Sequence, residues 1–191
     1  MSNDLSRYLS RSEVLAMGFL SVGDDVKIAR SAKIYDAKYS SIKNRVTIDD
    51  FCVISGAIDF GNNVHLAHSS LVIGGREGVN FGDFSGLAFG ACVFCQSDDY
   101  SGAHLTNPTV PMEYRKIARG RVELGRHVIV GTRSVIFPGV NLAEGCAVGA
   151  MSVVTKSTEE WSIYIGNPAK RIKARSRDLL QKEDAYISSL K

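Results

Sequence analysis

The chain has 191 residues, of which 45% are hydrophobic and 23% are charged, as in an ordinary soluble globular protein. This composition excludes a disordered chain. No apolar run reaches the roughly 18–20 residues of a membrane-spanning helix, so we expect no membrane span. The net charge of +3 is too small to indicate a nucleic-acid partner. Glycine is in excess at 18 residues against only four prolines, which indicates many tight backbone turns within an ordered fold.

The first residues, MSNDLSRYLSRSE, lack the apolar stretch of a signal peptide. We therefore expect a cytoplasmic protein with reduced thiols. Cys92 and Cys95 form a CxxC pair, a spacing used by redox proteins and by zinc sites. A structural zinc site needs four ligands, however, and the chain has no second pair. We expect these two cysteines, with Cys52 and Cys146, to be packing residues.

The first predicted element in the chain is a short helix. Ser10 and Glu13 have the spacing of a capping box, and Gly18 follows the apolar residues Val14 and Leu15 as a typical stop signal. We expect residues 1–21 to form an N-terminal helical cap.

A repeat of apolar residues at six-residue spacing begins at Val22 and continues, with three register shifts, to Val154. A small or acidic residue follows most of these positions. Neither a helical stripe nor simple strand alternation has a period of six, but a short strand followed by a tight corner does. The repeat therefore predicts a parallel β-helix. Its eighteen apolar positions are Val22, Ile28, Ile34, Ile42, Ile48, Ile54, Phe60, Leu66, Val72, Phe81, Leu87, Val93, Leu124, Val130, Ile136, Leu142, Val148 and Val154.

One long excursion, residues 98–121, interrupts this repeat. Loops longer than about 12–15 residues inside a compact domain are usually functional or disordered. Prolines and tyrosines within the excursion favour an ordered, functional loop. Its basic residues form either a solvated surface, the commoner case, or a contact for a phosphorylated acceptor. These residues are Arg115, Lys116, Arg119 and Arg121.

The C-terminal part carries a basic run and a second helical pattern. The segment from Gly166 to Lys170 reads Gly-Asn-Pro-Ala-Lys, and it opens a stretch with five cations between Lys170 and Arg177. Such a run is either an exposed basic face or a site for phosphate groups. An amphipathic pattern from Ser176 to Leu190 predicts a C-terminal helix. We expect a β-helical domain over 22–172 and a C-terminal helix over 173–191.

These features resemble those of the hexapeptide-repeat acyltransferases, over about residues 22–172. The likeness is to the sugar O- and N-acetyltransferase branch, which includes the galactoside, maltose and surface-polysaccharide acetyltransferases. It implies an all-β fold: a left-handed parallel β-helix of three hexapeptides per coil and about six coils. It also implies a homotrimer with active sites at the subunit interfaces.

The same resemblance implies that acetyl-CoA is the acyl donor and that no metal is needed. Small residues along the coil edges would let the pantetheine arm lie close to the backbone, and the basic run would meet the phosphates. The implied coenzyme-binding residues are Gly131, Thr132, Gly149, Ala150, Thr155, Asn167, Pro168, Lys170, Arg171 and Lys173.

The resemblance also indicates a catalytic histidine. His68 occupies the repeat position at which one branch of the family carries its base, although Ser69 stands where that branch has aspartate. The galactoside and maltose branch instead has its histidine at the mouth of the excursion, where this chain has Asp98 and Asp99. We predict that His68, or failing that His65, is the base. Asp98 or Asp99 would orient it from a neighbouring coil or across a subunit interface.

The resulting prediction is an acetyltransferase that acts on a hydroxyl or amino group of a sugar or sugar nucleotide in polysaccharide, O-antigen or capsule biosynthesis. The acceptor would attack the thioester directly, without an acyl-enzyme. One alternative is an N-acetyltransferase of a nucleotide-linked amino sugar. Others are a zinc lyase resembling γ-carbonic anhydrase, with His65 and His68 among its ligands, a non-catalytic scaffold, and a transferase that uses acyl carrier protein as donor.

Overall fold

The computed structural model describes residues 7–190, and within this range short strands lie between two α-helices. Two 3₁₀ turns, Ala37–Tyr39 and Met112–Tyr114, interrupt the strands. In chain order the elements are α1 (Arg11–Ala16), β1 (Ser21–Val22), β2 (Lys27–Ile28), β3 (Lys33–Ile34), β4 (Ser41–Ile42), β5 (Thr47–Ile48), β6 (Val53–Phe60), β7 (His65–Leu66), β8 (Leu71–Phe81), β9 (Gly86–Leu87), β10 (Cys92–Phe94), β11 (Gln96–Asp98), β12 (Ile117–Arg119), β13 (Val122–Leu124), β14 (Ile129–Val130), β15 (Val135–Ile136), β16 (Asn141–Leu142), β17 (Ala147–Val148), β18 (Val153–Val154), β19 (Ser162–Gly166), β20 (Ala169–Ala174) and α2 (Leu179–Ser189).

The strands stack in parallel ladders that form three faces of a prism. Face one is the ladder β2-β5-β7-β9-β14-β17-β19, with β20 added antiparallel at its end. Face two contains β3, β10, β15 and β18, and face three contains β1, β4, β13 and β16. The long strands β6 and β8 run through both of these faces. Seven parallel strands on face one correspond to about seven coils, one more than predicted. The seventh, at β19, was missed because an insertion after Val154 breaks the six-residue spacing.

The predicted apolar positions form the core of the prism. Val22 and Ile34, near the N-terminal end, are partly buried, and the other sixteen of the eighteen are buried. Phe60 and Phe81 stack on each other inside it, with ring centroids 5.2 Å apart. The apolar positions of the six-residue repeat therefore point into the prism, as predicted from the sequence.

The glycine surplus has a second physical cause beside the expected tight turns. A Cβ at Gly131 would lie 2.5 Å from the amide nitrogen of Ala150 on the next coil, closer than van der Waals contact allows. Glycine at this position of the repeat is thus required by the close approach of stacked coils. Positive backbone φ angles also occur at nine glycines, Gly90 and Gly145 among them, and at non-glycine corner residues such as Arg45 and Phe84.

Helix α1 begins with the predicted capping box. The backbone N–H of Glu13 donates to Ser10 Oγ, and the Glu13 carboxylate accepts from the backbone N–H of Ser10 at 2.7 Å. Arg30 contributes two further hydrogen bonds, at 2.8 and 3.0 Å, and together these interactions lower the pKa of Glu13 to about 2. Residues 1–6 of the predicted N-terminal cap lie outside the described range.

The C-terminal boundary differs from the expectation. Residues 173 and 174 belong to β20, which pairs with β19 as a hairpin, so strand structure continues past residue 172. Helix α2 then covers Leu179–Ser189, three residues later than the predicted start at Ser176. Lys191 lies outside the described range. No helix within residues 7–190 is long and apolar enough to cross a membrane.

The excursion forms an arm, defined here as residues 98–121. Strands β11 and β12 pair antiparallel at its base, with Gln96 opposite Arg119 and Asp98 opposite Ile117. The arm leaves the prism between faces two and three and returns to the same coil. Its basic residues are largely paired: Arg115 with Asp98, Arg119 with Glu77, and Arg121 with Glu123 and Asp59.

Three of the four cysteines are packing residues, as predicted, whereas Cys92 is only partly buried. All four thiols are free, and Cys52, Cys95 and Cys146 are buried. Burial raises the pKa of the Cys52 and Cys95 thiols to about 11. Thiols protonated at neutral pH make poor nucleophiles.

Candidate active site

Three edges join the faces and carry the candidate functional residues. Edge A, between faces one and two, stacks Asp50, His68, Phe89 and Thr132, and each of these carbonyls accepts a hydrogen bond from the next coil. Edge B, between faces two and three, carries the arm. Edge C, between faces three and one, stacks corners such as those at Asn63, Phe84 and His127, whose backbone N–H groups donate to the preceding coil.

A groove of about 340 Å³, called here the arm groove, lies where the arm leaves edge B. The predicted catalytic carboxylates Asp98 and Asp99 lie on one wall, and the predicted coenzyme residue Thr155 lies on the other. The structure thus brings two of the predicted functional elements together. The full lining is Ser97, Asp98, Asp99, Tyr100, Lys116, Ala118, Phe137, Pro138 and Thr155.

Asp98 is occupied in holding the arm. Its carboxylate accepts from the backbone N–H of Asn107 at 2.9 Å and from Arg115 Nη2 at 3.0 Å. These hydrogen bonds lower the pKa of Asp98. The side chain is therefore an ionised structural anchor, with little capacity to act as a base.

Asp99 orients a histidine, but a different one from the residue predicted. Its carboxylate accepts from the Ser101 backbone N–H at 2.9 Å and from the Ser101 hydroxyl at 2.8 Å. The third contact is with His104 Nδ1 at 2.7 Å. These hydrogen bonds lower the pKa of Asp99 to about 2. Within one chain, Asp99 therefore positions His104, and its orientation of His68 across an interface stays a prediction.

His68 and His65 belong to a separate network around Asp49. His65 Nε2 lies 2.8 Å from Asp49 Oδ2. His68 Nε2 lies 2.8 Å from Arg7 Nη2, and because a guanidinium can only donate, the Nε2 lone pair of His68 is occupied. His68 Nδ1 is buried and lies 3.4 Å from Asp49. Neither ring nitrogen of His68 is open to an acceptor substrate in this arrangement.

Most of the predicted coenzyme residues follow one line along edge A. Gly131 and Thr132 lie one coil below Gly149 and Ala150, and the turn Asn167–Pro168, which contains a cis peptide bond, lies above them. The backbone N–H of Gly166 ties this turn to the Ser152 hydroxyl at 3.0 Å. Thr155 lies instead on edge B, and the three predicted basic residues lie on the β19–β20 hairpin.

The basic run forms the outer strand of the β19–β20 hairpin. Lys170 and Lys173 are exposed there, and Arg171 donates to the Ser162 hydroxyl at 2.9 Å. Arg175 has a structural role instead: it donates to the backbone carbonyls of His127 and Gly145 at 2.8 and 3.1 Å. Burial lowers the pKa of Arg175.

A second groove, of about 370 Å³, lies on face one between edges A and C. Gly86 and Ala88 contribute small residues to its lining, while His65, Phe84 and Phe89 supply larger side chains. Phe89 also stacks on the ring of His68, with centroids 5.7 Å apart.

The sequence does not indicate that His104 is the partner of Asp99, or that Asp49 is the partner of His65. Asp99, Ser101 and His104 lie within six residues of one another, and serine and aspartate at this spacing often close a local turn. Asp49 could have been found from the coil repeat, since Thr47 pairs directly with His65 on the next coil. Among residues 7–190, no three His, Cys, Asp or Glu side chains are grouped so as to hold a metal ion.

A prism of stacked hexapeptides, a long arm beside a groove and a basic hairpin at one end define a β-helical acyltransferase. No family model matches the chain. The chain is 41% identical over 185 residues to the dTDP-4-amino-4,6-dideoxy-D-glucose acyltransferase of Escherichia coli, covering 95% of this chain and 96% of that protein.

Solved structures agree with this similarity. A variant of AntD, an N-acyltransferase from Bacillus cereus, in complex with dTDP-4-amino-4,6-dideoxyglucose and coenzyme A, superimposes with a TM-score of 0.94. It is 42% identical to this chain, and the match covers 96% of this chain and 98% of that one. A maltose O-acetyltransferase from Clostridium difficile, 20% identical with a TM-score of 0.59, shares the fold over 93% of this chain and 79% of that one.

The chain therefore belongs to the hexapeptide-repeat acyltransferases, and both the predicted family and the predicted left-handed β-helix are confirmed. The predicted enzyme class, acyltransferase, is confirmed as well.

Proposed function

We propose that this protein is a coenzyme A-dependent N-acyltransferase that acylates the amino group of a nucleotide-linked amino sugar. The proposal rests on similarity over nearly the whole chain, including the arm, to two proteins. One is named as an acyltransferase of a nucleotide-linked amino sugar, and the other is an N-acyltransferase whose structure contains such a sugar. This similarity favours an amino group over a sugar hydroxyl as the acceptor. We place the reaction in the cytoplasm, in the supply of modified sugars for surface polysaccharides.

The donor site in this proposal is edge A together with the basic hairpin. AntD also binds 3-hydroxybutyryl-CoA together with dTDP, so a coenzyme A thioester is the donor we assign here. The exposed small side chain of Ala150 and the partly exposed Thr132 leave room along edge A for a narrow pantetheine arm. The exposed ammonium groups of Lys170 and Lys173 are available to the phosphates.

The outer surface of face two supports the trimer in this proposal. Stacked side chains on this surface are apolar and only partly buried in the single chain, whereas the outward positions on face three are mainly polar. An apolar sheet face is a natural contact for further copies of the chain. The stacked residues, in register from coil to coil, are Val53, Leu71, Cys92, Val135 and Val153.

A threefold arrangement around face two also completes the site. In a cyclic trimer each contact is heterologous, so edge A of one chain meets edge B of the next. Thr132 and Phe89 of one subunit would then face the arm groove of its neighbour. This assigns the donor to edge A of one chain and the acceptor to the arm of another.

The chemistry needs no acyl-enzyme. The amine attacks the thioester carbonyl directly, and backbone N–H groups stabilise the oxyanion that forms. No cysteine lines the arm groove, and the protonated Cys52 and Cys95 thiols are buried in the core. Thiol release from acyl-CoA, measured with amino and hydroxyl forms of the same sugar nucleotide, tests the proposal.

Removing Lys170 and Lys173 together, as Lys170→Ala/Lys173→Ala, is expected to weaken coenzyme A binding about tenfold at low ionic strength. The difference from wild type should shrink as salt is added, because exposed charge pairs are screened. Titration calorimetry at two salt concentrations measures both effects.

The matched control is Lys27→Ala/Lys43→Ala, which removes two exposed lysines from coils distant from the hairpin and from face two. It should bind coenzyme A like the wild type at either salt concentration. Equal affinities for the two double variants would contradict the assignment of the hairpin to the phosphates.

A further inference from the structure

His104 and Asp99 form a histidine–carboxylate pair on the arm. His104 Nδ1 lies 2.7 Å from Asp99 Oδ2, and Ser101 holds the same carboxylate with its backbone N–H and its hydroxyl. An ionised carboxylate can only accept, so the Nδ1 of His104 carries the proton. The lone pair of a neutral imidazole is then on Nε2, for which residues 7–190 offer no hydrogen-bond partner.

The other three histidines lack this combination. Arg7 occupies Nε2 of His68, and its Nδ1 is buried. His65 keeps an open Nδ1, but its ring lines the face-one groove. His127 is buried, with Nε2 bonded to Glu183 at 2.8 Å. Of the four histidines, only His104 has its Nδ1–H held by a carboxylate, an Nε2 without a partner within residues 7–190 and a place next to the arm groove. Its partner Asp99 lines that groove.

We propose that His104 takes the proton from the attacking amine during acyl transfer, with Asp99 as its positioning residue. This inference rests on the proposed function. It assigns the base to the arm rather than to edge A, where the repeat pattern places it. A base oriented by a carboxylate through Nδ1–H is the arrangement that recurs in hydrolases and transferases on unrelated folds.

The step balances without a further reactant. The nitrogen lone pair forms the C–N bond to the acyl carbon, and the electrons of the C–S bond leave with sulfur as the coenzyme A thiolate. The proton lost by nitrogen moves to Nε2 of His104, while Asp99 stabilises the imidazolium. The imidazolium then protonates the thiolate, which returns His104 to its neutral form and leaves an amide and free coenzyme A.

The test is His104→Asn, whose amide nitrogen can keep the hydrogen bond to Asp99 while removing the base. We expect kcat/KM for the amino sugar to fall about 100-fold or more. Coenzyme A affinity and the oligomeric state should not change. Every variant should share the rise of kcat/KM with pH that comes from deprotonation of the amino sugar, and the wild type should show a further enzyme ionisation that is missing in His104→Asn. Asp99→Asn should retain it at a shifted pH.

Glu113→Gln, an exposed arm residue outside the groove lining, is the matched control and should stay within about threefold of the wild type. His65→Asn tests the competing assignment of the base to His65. The inference is overturned if His104→Asn keeps the wild-type kcat/KM and pH profile, or if His65→Asn loses as much. Should His104→Asn fail to assemble, His104→Gln decides by the same criteria. A wild type that releases no thiol with any amino sugar would overturn the proposed function itself, which separates the two failures.

Discussion

Val135→Asp is expected to dissociate the enzyme into single chains and to lower kcat/KM on the order of 100-fold, because the site would lose one of its two edges. Val135 lies in the middle of the apolar column on face two, between Cys92 and Val153. In the single chain its side chain is partly exposed, so the β-helix itself should tolerate the carboxylate. In a trimer the same carboxylate would be buried without a partner, which is costly.

Sedimentation velocity and thiol-release kinetics measure the two effects on the same sample. The matched control is Asn141→Asp, which places the same charge on the outward side of face three and should remain trimeric and active. A trimeric Val135→Asp variant would show that face two is not the contact between chains. A monomeric but fully active variant would show that one chain contains the whole site.

Glu183→Ala is expected to destabilise the protein by about 3 kcal/mol. Glu183 on α2 is buried against edge C, where its carboxylate lies 2.8 Å from His127 Nε2 and also contacts the Arg126 guanidinium. His127 is also buried, and its ring stacks on Phe84. The alanine variant would leave the buried His127 without its partner and would release α2 from the prism.

Thermal unfolding at a fixed protein concentration measures this effect. A loss of 3 kcal/mol corresponds to a fall in Tm of roughly 6–12 °C for a domain of this size. Asp184→Ala, an exposed neighbour on the same helix, is the control and should change Tm by no more than about 2 °C. Equal shifts for the two variants would contradict the assigned role of the Glu183–His127 pair.

The core of the fold could be predicted because each inward position repeats. Every coil must fill the same prism interior, so residues such as Ile48, Leu66 and Leu87 record one packing requirement many times. The seventh coil could not be predicted because its strand, Ser162–Gly166, follows an insertion that breaks the six-residue spacing. The sequence shows that a small or acidic residue follows most of the apolar positions, but only the structure shows that at Gly131 the backbone of the next coil leaves no room for a Cβ.

The candidate site was only partly predictable, because the repeat indicates where a residue lies but not which distant residue it contacts. Asp98 and Asp99 could be identified from their position at the mouth of the excursion. Their partners depend on how the arm folds back on itself, and the arm sequence contains no repeat from which this conformation could be predicted. Arg7 binds Nε2 of His68 although the two residues are 61 positions apart in the chain, and no local sequence pattern indicates this contact.

Amide formation on a nucleotide-linked amino sugar is tested most directly by product analysis. The wild-type protein is incubated with acetyl-CoA or 3-hydroxybutyryl-CoA and dTDP-4-amino-4,6-dideoxyglucose, and the products are followed by mass spectrometry. We predict one acylated sugar nucleotide per coenzyme A released, stable to hydroxylamine as an amide is. An acylated product that hydroxylamine cleaves, or acylation of the 4-hydroxyl analogue alone, would contradict the account.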